Sequence, residues 1–131
     1  MTGSANALQA AIYQRLAEDP DLLAMIGPGS VFDRRMTGRP MPYLVLGGIV
    51  TSDFGPDAEE HLVTIEAWSD AEGRRQVQAI AARVKQLLDD APLALSGVSL
   101  VGLLFRTMRA RREPGTRAQM VEMRFRAVTE G

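Results

Sequence analysis

The single histidine, His61, is the side chain of this sequence best suited to acid–base or metal chemistry near neutral pH. Glu59 and Glu60 precede it directly and are its nearest carboxylates in sequence. Metal sites usually combine several histidines, cysteines and carboxylates, and this 131-residue chain has one His and no Cys. We therefore expect no metal site and interpret His61 as a solvent-exposed or strand-edge histidine.

The remaining candidates for chemistry are equally isolated. Asp89 and Asp90 are adjacent acids at the end of a predicted helix, a position where carboxylates are normally hydrated. The patterns GxxxxGK[ST], GxGxxG, GxSxG and HExxH do not occur, and no predicted helix follows Gly47-Gly48 as a phosphate loop would require. We expect no catalytic residue, no cofactor and no enzymatic activity.

Length and composition indicate an ordinary globular protein. With 46% hydrophobic and 24% charged residues, we expect one domain over residues 1–131. The formal net charge of -1 provides no global attraction to nucleic acid or an anionic membrane. Because no run approaches about 20 apolar residues, we expect no membrane partner and synthesis in the cytoplasm.

The charges are segregated along the chain. Residues 51–72 contain no Lys or Arg and seven acids, namely Asp53, Asp57, Glu59, Glu60, Glu66, Asp70 and Glu72. Residues 106–126 contain only two acids, Glu113 and Glu122. The seven arginines in that segment are Arg106, Arg109, Arg111, Arg112, Arg117, Arg124 and Arg126. Two oppositely charged segments therefore cancel in the net charge.

Two interpretations of this segregation remain open. The acids Asp53, Asp57, Glu59 and Glu60 of one copy can meet Arg109 and Arg111 of the next, as in a head-to-tail contact that closes into a ring. Alternatively, acidic and basic strands pair within one subunit, where each cross-strand pair contributes only about 0.2–1 kcal/mol.

Two further arginine groups are candidates for contacts. Residues 27–42 form a long predicted loop whose arginines, Arg34, Arg35 and Arg39, either reach a neighbour or are simply solvated. Arginines at alternate strand positions can also follow a phosphate backbone, so Arg106, Arg124 and Arg126 are candidates for contact with DNA in a channel. No aromatic platform accompanies them, so we expect no sequence-specific recognition.

The apolar periodicity predicts three helices. The first covers residues 4–18 with Ser4 as its N-cap, and a second, brief helix begins at Asp19-Pro20. The third follows a capping box at residues 69–72 and ends before Pro92.

The strands are predicted at residues 43–50, 61–68, 98–112 and 116–129, with a short strand at residues 31–32. Gly47-Gly48 predicts a bulge, and residues 51–60 predict an exposed acidic hairpin arm. We interpret Tyr43 and Trp68 as packing residues. The order α-α-β-β-α-β-β predicts an α+β fold, with an antiparallel-rich sheet and helices packed on one face.

The segments PYLVLG (residues 42–47) and VTIEAWS (residues 63–69), followed by a helix carrying Ile80, Val84, Leu87 and Leu88, resemble a phage family. They are similar to the DUF3168-type tail-completion or tail-terminator proteins of siphophages, prophages and gene transfer agents. The resemblance extends from the first helix to the final hairpin.

This resemblance implies a tail terminator that forms a ring, expected to be hexameric. The ring caps the tail tube, stops its polymerisation and joins it to the head-side connector or stopper protein, while DNA passes through the centre. It implies partners but no catalytic residues: other copies of the chain, the tail tube protein and the connector. The protein would assemble in the cytoplasm and become part of a phage-like particle. The alternatives are a head–tail connector component of the neck and a small α+β ligand-binding domain. A mass measurement separates a ligand-binding monomer from a ring subunit.

Overall fold

The elements of the chain follow the predicted order, with the two-residue strand inserted after the second helix. A computed structural model describes residues 3–131, so the first two residues of the expected domain lie outside the described range. The elements are α1 (Ser4–Ala17), α2 (Pro20–Ile26), β1 (Val31–Phe32), β2 (Tyr43–Asp53), β3 (Ala58–Ser69), α3 (Arg75–Leu88), β4 (Ser99–Arg112) and β5 (Gln119–Glu130). The predicted α+β class is confirmed.

Helix α1 buries the predicted apolar stripe. Leu8, Ile12 and Leu16 occur at i, i+4 and i+8 and are all buried. The N-cap prediction was wrong, because Gly3 occupies the cap position without a side-chain hydrogen bond. Ser4 is the first helical residue, and its hydroxyl instead donates to the carboxylate of Glu59 in β3.

Helix α2 begins as its sequence predicts. The Asp19 carboxylate accepts a hydrogen bond of 2.8 Å from the backbone N–H of Leu22, and Pro20 follows at the first helical position. Arg83 of α3 donates to the same carboxylate at 2.7 Å and thereby lowers the pKa of Asp19. The cap of α2 therefore also ties this short helix to α3.

Helix α3 begins later than predicted, and its capping box was wrong. Its first residue is Arg75, and its N-cap has no side-chain hydrogen bond. Ser69 ends β3, where its hydroxyl donates to the side chain of Gln76 and accepts from the N–H of Ala71 at 3.1 Å. Gly73, with a φ of 76°, turns the chain before the helix begins.

The five strands form one mixed sheet in the order β1-β2-β3-β5-β4. Strand β1 is parallel to β2, and every other neighbouring pair is antiparallel. The predicted irregularity at Gly47-Gly48 is confirmed by a register shift between Leu46 and Ile49. A Cβ at Gly47 would lie 3.1 Å from the carbonyl oxygen of Thr64, so a side chain there would crowd the neighbouring strand.

The two faces of the sheet differ. All three helices pack on one face, here called the helix face, and contribute with it to the main apolar core. On the opposite face, called the open face, a smaller cluster contains Tyr43, Val45, Trp68, Ala118 and Met120. Tyr43 and Trp68 are 0% and 4% exposed, which confirms them as packing residues. Elsewhere the open face carries charged side chains such as Glu122 and Arg124 and exposed apolar side chains such as Val50 and Leu62.

Candidate functional site

The two charged segments identified in the sequence lie at opposite ends of the sheet. Asp53 pairs with Glu59 at one end, whereas Arg111 lies in the row of Met120 and Trp68 at the other. Nine residues of β3 separate the two rows, or about 30 Å at roughly 3.3 Å per residue. We call the first region the acidic end, defined by Asp53, Asp57, Glu59 and Glu60. The β4–β5 hairpin is the arginine hairpin.

Half of the acidic end is engaged within the subunit. Glu59 accepts the Ser4 hydroxyl, and Glu60 accepts from Arg126 at 2.6 Å. The guanidinium of Arg126 also lies 5.1 Å from the ring centre of Phe54. Asp53 and Asp57, in contrast, are exposed at the hairpin turn. The predicted exposed arm is therefore shorter than expected, since β2 and β3 extend to Asp53 and from Ala58.

The arginine hairpin is mostly exposed. Arg106, Arg109 and Arg111 are all exposed, and Arg106 lies at the β4 irregularity between Phe105 and Thr107. Four arginines share the open face, as their cross-strand rows require: Arg109, Arg111, Arg124 and Arg126. Arg124 contacts Glu122 at 3.2 Å, yet its side chain is 64% exposed. Arg126 and Glu60 thus form an intrasubunit pair, while Arg109 and Arg111 lie far from the acidic end.

The loop that carries Arg34, Arg35 and Arg39 folds back on its own subunit. Arg35 forms a two-pronged ion pair with Glu113 of the arginine hairpin, with 3.1 Å between Nη2 and Oε1. Its guanidinium lies 4.0 Å from the ring centre of Trp68. The pairing raises the pKa of Arg35 and lowers that of Glu113. This contact ties residues 33–42 to the arginine hairpin.

The other loop arginines differ in their contacts. Arg39 donates to the carbonyl of Gly29 at 3.1 Å and lies 5.3 Å from the ring centre of Phe32. Arg34 is exposed. Of the three arginines proposed from the sequence, Arg34 is therefore the one most readily offered to a neighbour.

The interpretation of His61 as exposed was wrong. Its side chain is fully buried, because β3 is an interior strand and the side chain points to the helix face. Nδ1 lies 2.8 Å from Oγ1 of Thr51, and Nε2 lies 3.0 Å from Oγ1 of Thr129. Burial lowers the pKa of His61, so the neutral imidazole donates through one nitrogen and accepts through the other. Its position indicates a structural role.

Within residues 3–131, no cluster of three or more His, Cys, Asp or Glu side chains is arranged to hold a metal ion. The three helices described are each too short or too polar to cross a membrane.

The two edges of the sheet could not be identified from the sequence. Asp89 and Asp90 cover part of β4: the Asp89 carboxylate accepts from the N–H of Phe105 at 2.9 Å, and the N–H of Asp90 donates to the carbonyl of Leu103 at 2.7 Å. Residues 107–112 continue the strand beyond this cover. At the opposite edge, a groove of about 800 Å³ separates β1 from α1, with Leu46 in its lining. Long-range pairing determines these edges, so no local motif marks them.

Comparisons with known proteins agree with this architecture. Residues 10–130 match the family described as Tail completion protein gp17. A chain in a solved structure entitled "Virion of native gene transfer agent (GTA) particle" is 35% identical, with a TM-score of 0.90 and 100% of both chains covered. A second solved structure, 12% identical with a TM-score of 0.69, covers 99% of this chain and 98% of its own and shows the same fold. No curated protein matches.

The match over residues 10–130 and the full-length similarity to a virion component bear out the resemblance seen in the sequence. They indicate a structural role in a phage-like tail. The chain belongs to the Tail completion protein gp17 family.

Proposed function

We propose that this protein is a tail terminator: several copies close into a ring that caps the tail tube and joins it to the head-side connector. The observation that carries the proposal is the 35% identity, over the whole of both chains, to a component of a gene transfer agent virion. The role is mechanical, because covering the last ring of the tube removes the surface on which the next ring would polymerise. The protein would be made in the cytoplasm and retained in the finished particle.

The charge distribution supports two different axial partners. The acidic end and the arginine hairpin lie about 30 Å apart along the strands, at roughly 3.3 Å per residue. A ring whose axis follows the strands therefore has one rim carrying Asp53 and Asp57 and another carrying arginines such as Arg112 and Arg117. Opposite charges on the two rims favour different partners and fix the orientation of the ring. We propose that one rim meets the tube protein and the other the connector.

The open face is the proposed lining of the channel through which DNA passes. Arg124 is the best candidate for phosphate contact, because its side chain is 64% exposed on that face. Arg126 is held by Glu60, and Arg106 lies near the free edge of β4, so we expect weaker contributions from both. Glu66 and Glu122 lie on the same face, so contact with DNA would be loose and independent of sequence.

Deletion of the gene tests the proposal. A terminator predicts overlong tubes, or tails that never join heads, when particles are examined by electron microscopy. Restoration by the wild-type gene is the control. Tails of normal length lying free beside filled heads would instead assign the protein to head–tail joining in the neck, and normal particles would contradict both roles.

A further inference from the structure

The two free edges of the sheet lie at the same level. One cross-strand row crosses all five strands through Val31, Leu44, Ala67, Val121 and Ala110. Val31 is in β1 and Ala110 is in the uncovered part of β4, so the row ends at a free edge on both sides. A contact between these edges in neighbouring copies requires no displacement along the strands. Repetition of such a contact can close a ring rather than build a helix.

The backbone polarity of both edges suits this contact. The N–H of Glu113 donates to the carbonyl of Ala118, so alternation along β4 directs the backbone N–H and C=O of Ala110 away from β5. At the other edge, the carbonyl of Ser30 accepts from the N–H of Leu44, which directs the backbone groups of Val31 away from β2. Within residues 3–131, the outward N–H and C=O groups of Val31 and of Ala110 form no hydrogen bond with another backbone group.

The directions of β1 and β4, and the face to which their side chains are directed, also suit this contact. Strand β1 is parallel to β2, and the alternation through β3, β5 and β4 makes β4 antiparallel to β1. Rotation about an axis along the strands preserves these directions, so β4 of one copy meets β1 of the next as an antiparallel pair. Val31 and Ala110 both pack on the helix face, so the contact continues each face of the sheet into the next copy.

We propose that residues 107–112 of β4 add to β1 of a second copy, with Ala110 opposite Val31. This inference rests on the proposed ring and names its lateral contact. The neighbouring side chain Met108, 39% exposed, is directed to the helix face and enters the groove between α1 and β1. The groove lining carries two carboxylates, Glu18 and Asp33, and no Lys or Arg, which suits Arg112, the arginine of residues 107–112 that is directed to the helix face. The nearby Arg39 lies over Phe32, on the open-face side of β1.

Two variants block opposite sides of this contact. Ala110→Pro removes the outward N–H, a position where an edge strand tolerates proline because its own ladder does not use that group. Ala10→Trp fills the groove from α1, at an exposed position. The matched controls are Ala110→Ser, which keeps the N–H, and Ala24→Trp, at an exposed position of α2 outside the groove.

Native mass spectrometry and light scattering measure the outcome, and circular dichroism establishes that each variant is folded. Wild type and both controls should form the ring, whereas each blocking variant alone should be a monomer. An equimolar mixture of the two should give a dimer and stop, because only one intact β4 edge and one intact groove remain to pair.

The other outcomes separate this inference from the proposed function. Rings formed by either folded blocking variant, or a mixture that remains monomeric, would overturn the edge contact while leaving a wild-type ring intact. An Ala110→Pro variant that does not fold leaves Ala10→Trp to decide alone. Wild type that stays monomeric at every concentration and with its tube would overturn the ring and this contact together.

Discussion

The β2–β3 and β4–β5 hairpins are both strongly charged in the sequence, with opposite signs. They differ in how these charges are used in the structure. In the β2–β3 hairpin, Glu59 and Glu60 hold Ser4 and Arg126 of the same subunit, and His61 is buried beside them. In the β4–β5 hairpin, Arg109 and Arg111 remain exposed. Much of the acidic segment therefore stabilises the fold, whereas the arginine segment is available for assembly.

The largest effect is expected at the arginine hairpin. Arg109→Glu combined with Arg111→Glu should weaken ring formation by about tenfold or more, which corresponds to about 1.4 kcal/mol. Both side chains lie on the open face of β4 and do not enter the neighbouring groove. Their reversal replaces the positive charge of β4 with negative charge beside Asp33, which directly follows β1 of the next copy. Because both arginines are exposed, the free energy of unfolding should change by no more than about 0.5 kcal/mol. Light scattering and urea denaturation measure the two quantities, and Arg74→Glu with Arg75→Glu is a matched reversal elsewhere on the surface.

The same variant distinguishes the edge contact from a contact through the acidic end. The edge contact predicts that adding Asp53→Lys and Asp57→Lys will not restore the ring. Restoration by those changes would mean that the arginines of one copy meet the acidic end of the next. Unchanged assembly of the starting variant would remove these arginines from the interface altogether.

Substitutions in the β2–β3 hairpin should instead change the stability of the subunit. His61→Leu leaves the hydroxyls of Thr51 and Thr129 without their buried partner, and we expect a loss of about 2 kcal/mol in the free energy of unfolding. Urea denaturation measures this loss, and assembly of the folded fraction should be unchanged. A change below about 0.5 kcal/mol would mean that the threonine hydrogen bonds contribute little.

The pH dependence of stability tests the buried state of His61 separately. Burial lowers its pKa in the folded state, so below about pH 6.5 the unfolded chain binds more protons and stability falls. The carboxyls of Asp19 and Glu113, whose pKa values are lowered by Arg83 and Arg35, lose their contribution only in stronger acid. Thermal unfolding between pH 7.5 and 5 should therefore show a slope in wild type that His61→Leu flattens. An equal slope in both proteins would contradict this origin.

A smaller effect is expected for the pair of Glu60 and Arg126. Glu60→Gln keeps the size of the side chain but removes its charge, and both partners retain roughly a quarter to a third of their exposure. We expect a loss of about 1 kcal/mol in the free energy of unfolding. Denaturation in urea measures it, and Glu72→Gln, at an exposed residue, is the control. Equal values for the two variants would show that the pair is not a stabilising contact.

The smallest effect on the stability of the isolated subunit is expected at the turn of the β2–β3 hairpin. Asp53→Asn with Asp57→Asn should change the free energy of unfolding by less than about 0.5 kcal/mol, since both side chains are exposed. Lateral ring closure should also persist. Binding of the ring to one axial partner, measured by co-sedimentation with tubes or connectors, should weaken. Retained binding to both partners would exclude this turn from the axial contacts.

The sequence predicted elements better than it predicted the partners of individual side chains. Periodicity located α3 and both hairpins, because the apolar pattern follows directly from which face is buried. It misassigned Ser69 as a cap, since Gly73 delays the helix and the hydroxyl binds Gln76 instead. It also misjudged His61, because burial there depends on the pairing of β3 with β5, in which His61 lies opposite Ala127, 66 residues further along the chain.

The same limitation applies to the candidate site. The segregated charges were visible in sequence, but which of them cancel within the subunit depends on strand order. Adjacent strands β3 and β5 bring Glu60 to Arg126, whereas Arg109 and Arg111 lie on the outer strand. The uncovered length of β4 depends in turn on Asp89 and Asp90, which follow a helix rather than a strand. Such long-range arrangements leave no local pattern to recognise.

Growth of the tail tube in the presence of the purified protein is the most direct test of whether a ring of this protein caps the tube. Tube protein from the same particle is allowed to polymerise with and without wild type, and tube lengths and ends are measured by electron microscopy. We expect shorter tubes with a ring at one end in the presence of wild type, and full-length tubes with the Arg109→Glu and Arg111→Glu variant. An unchanged length distribution with wild type, and no ring at either end, would contradict it.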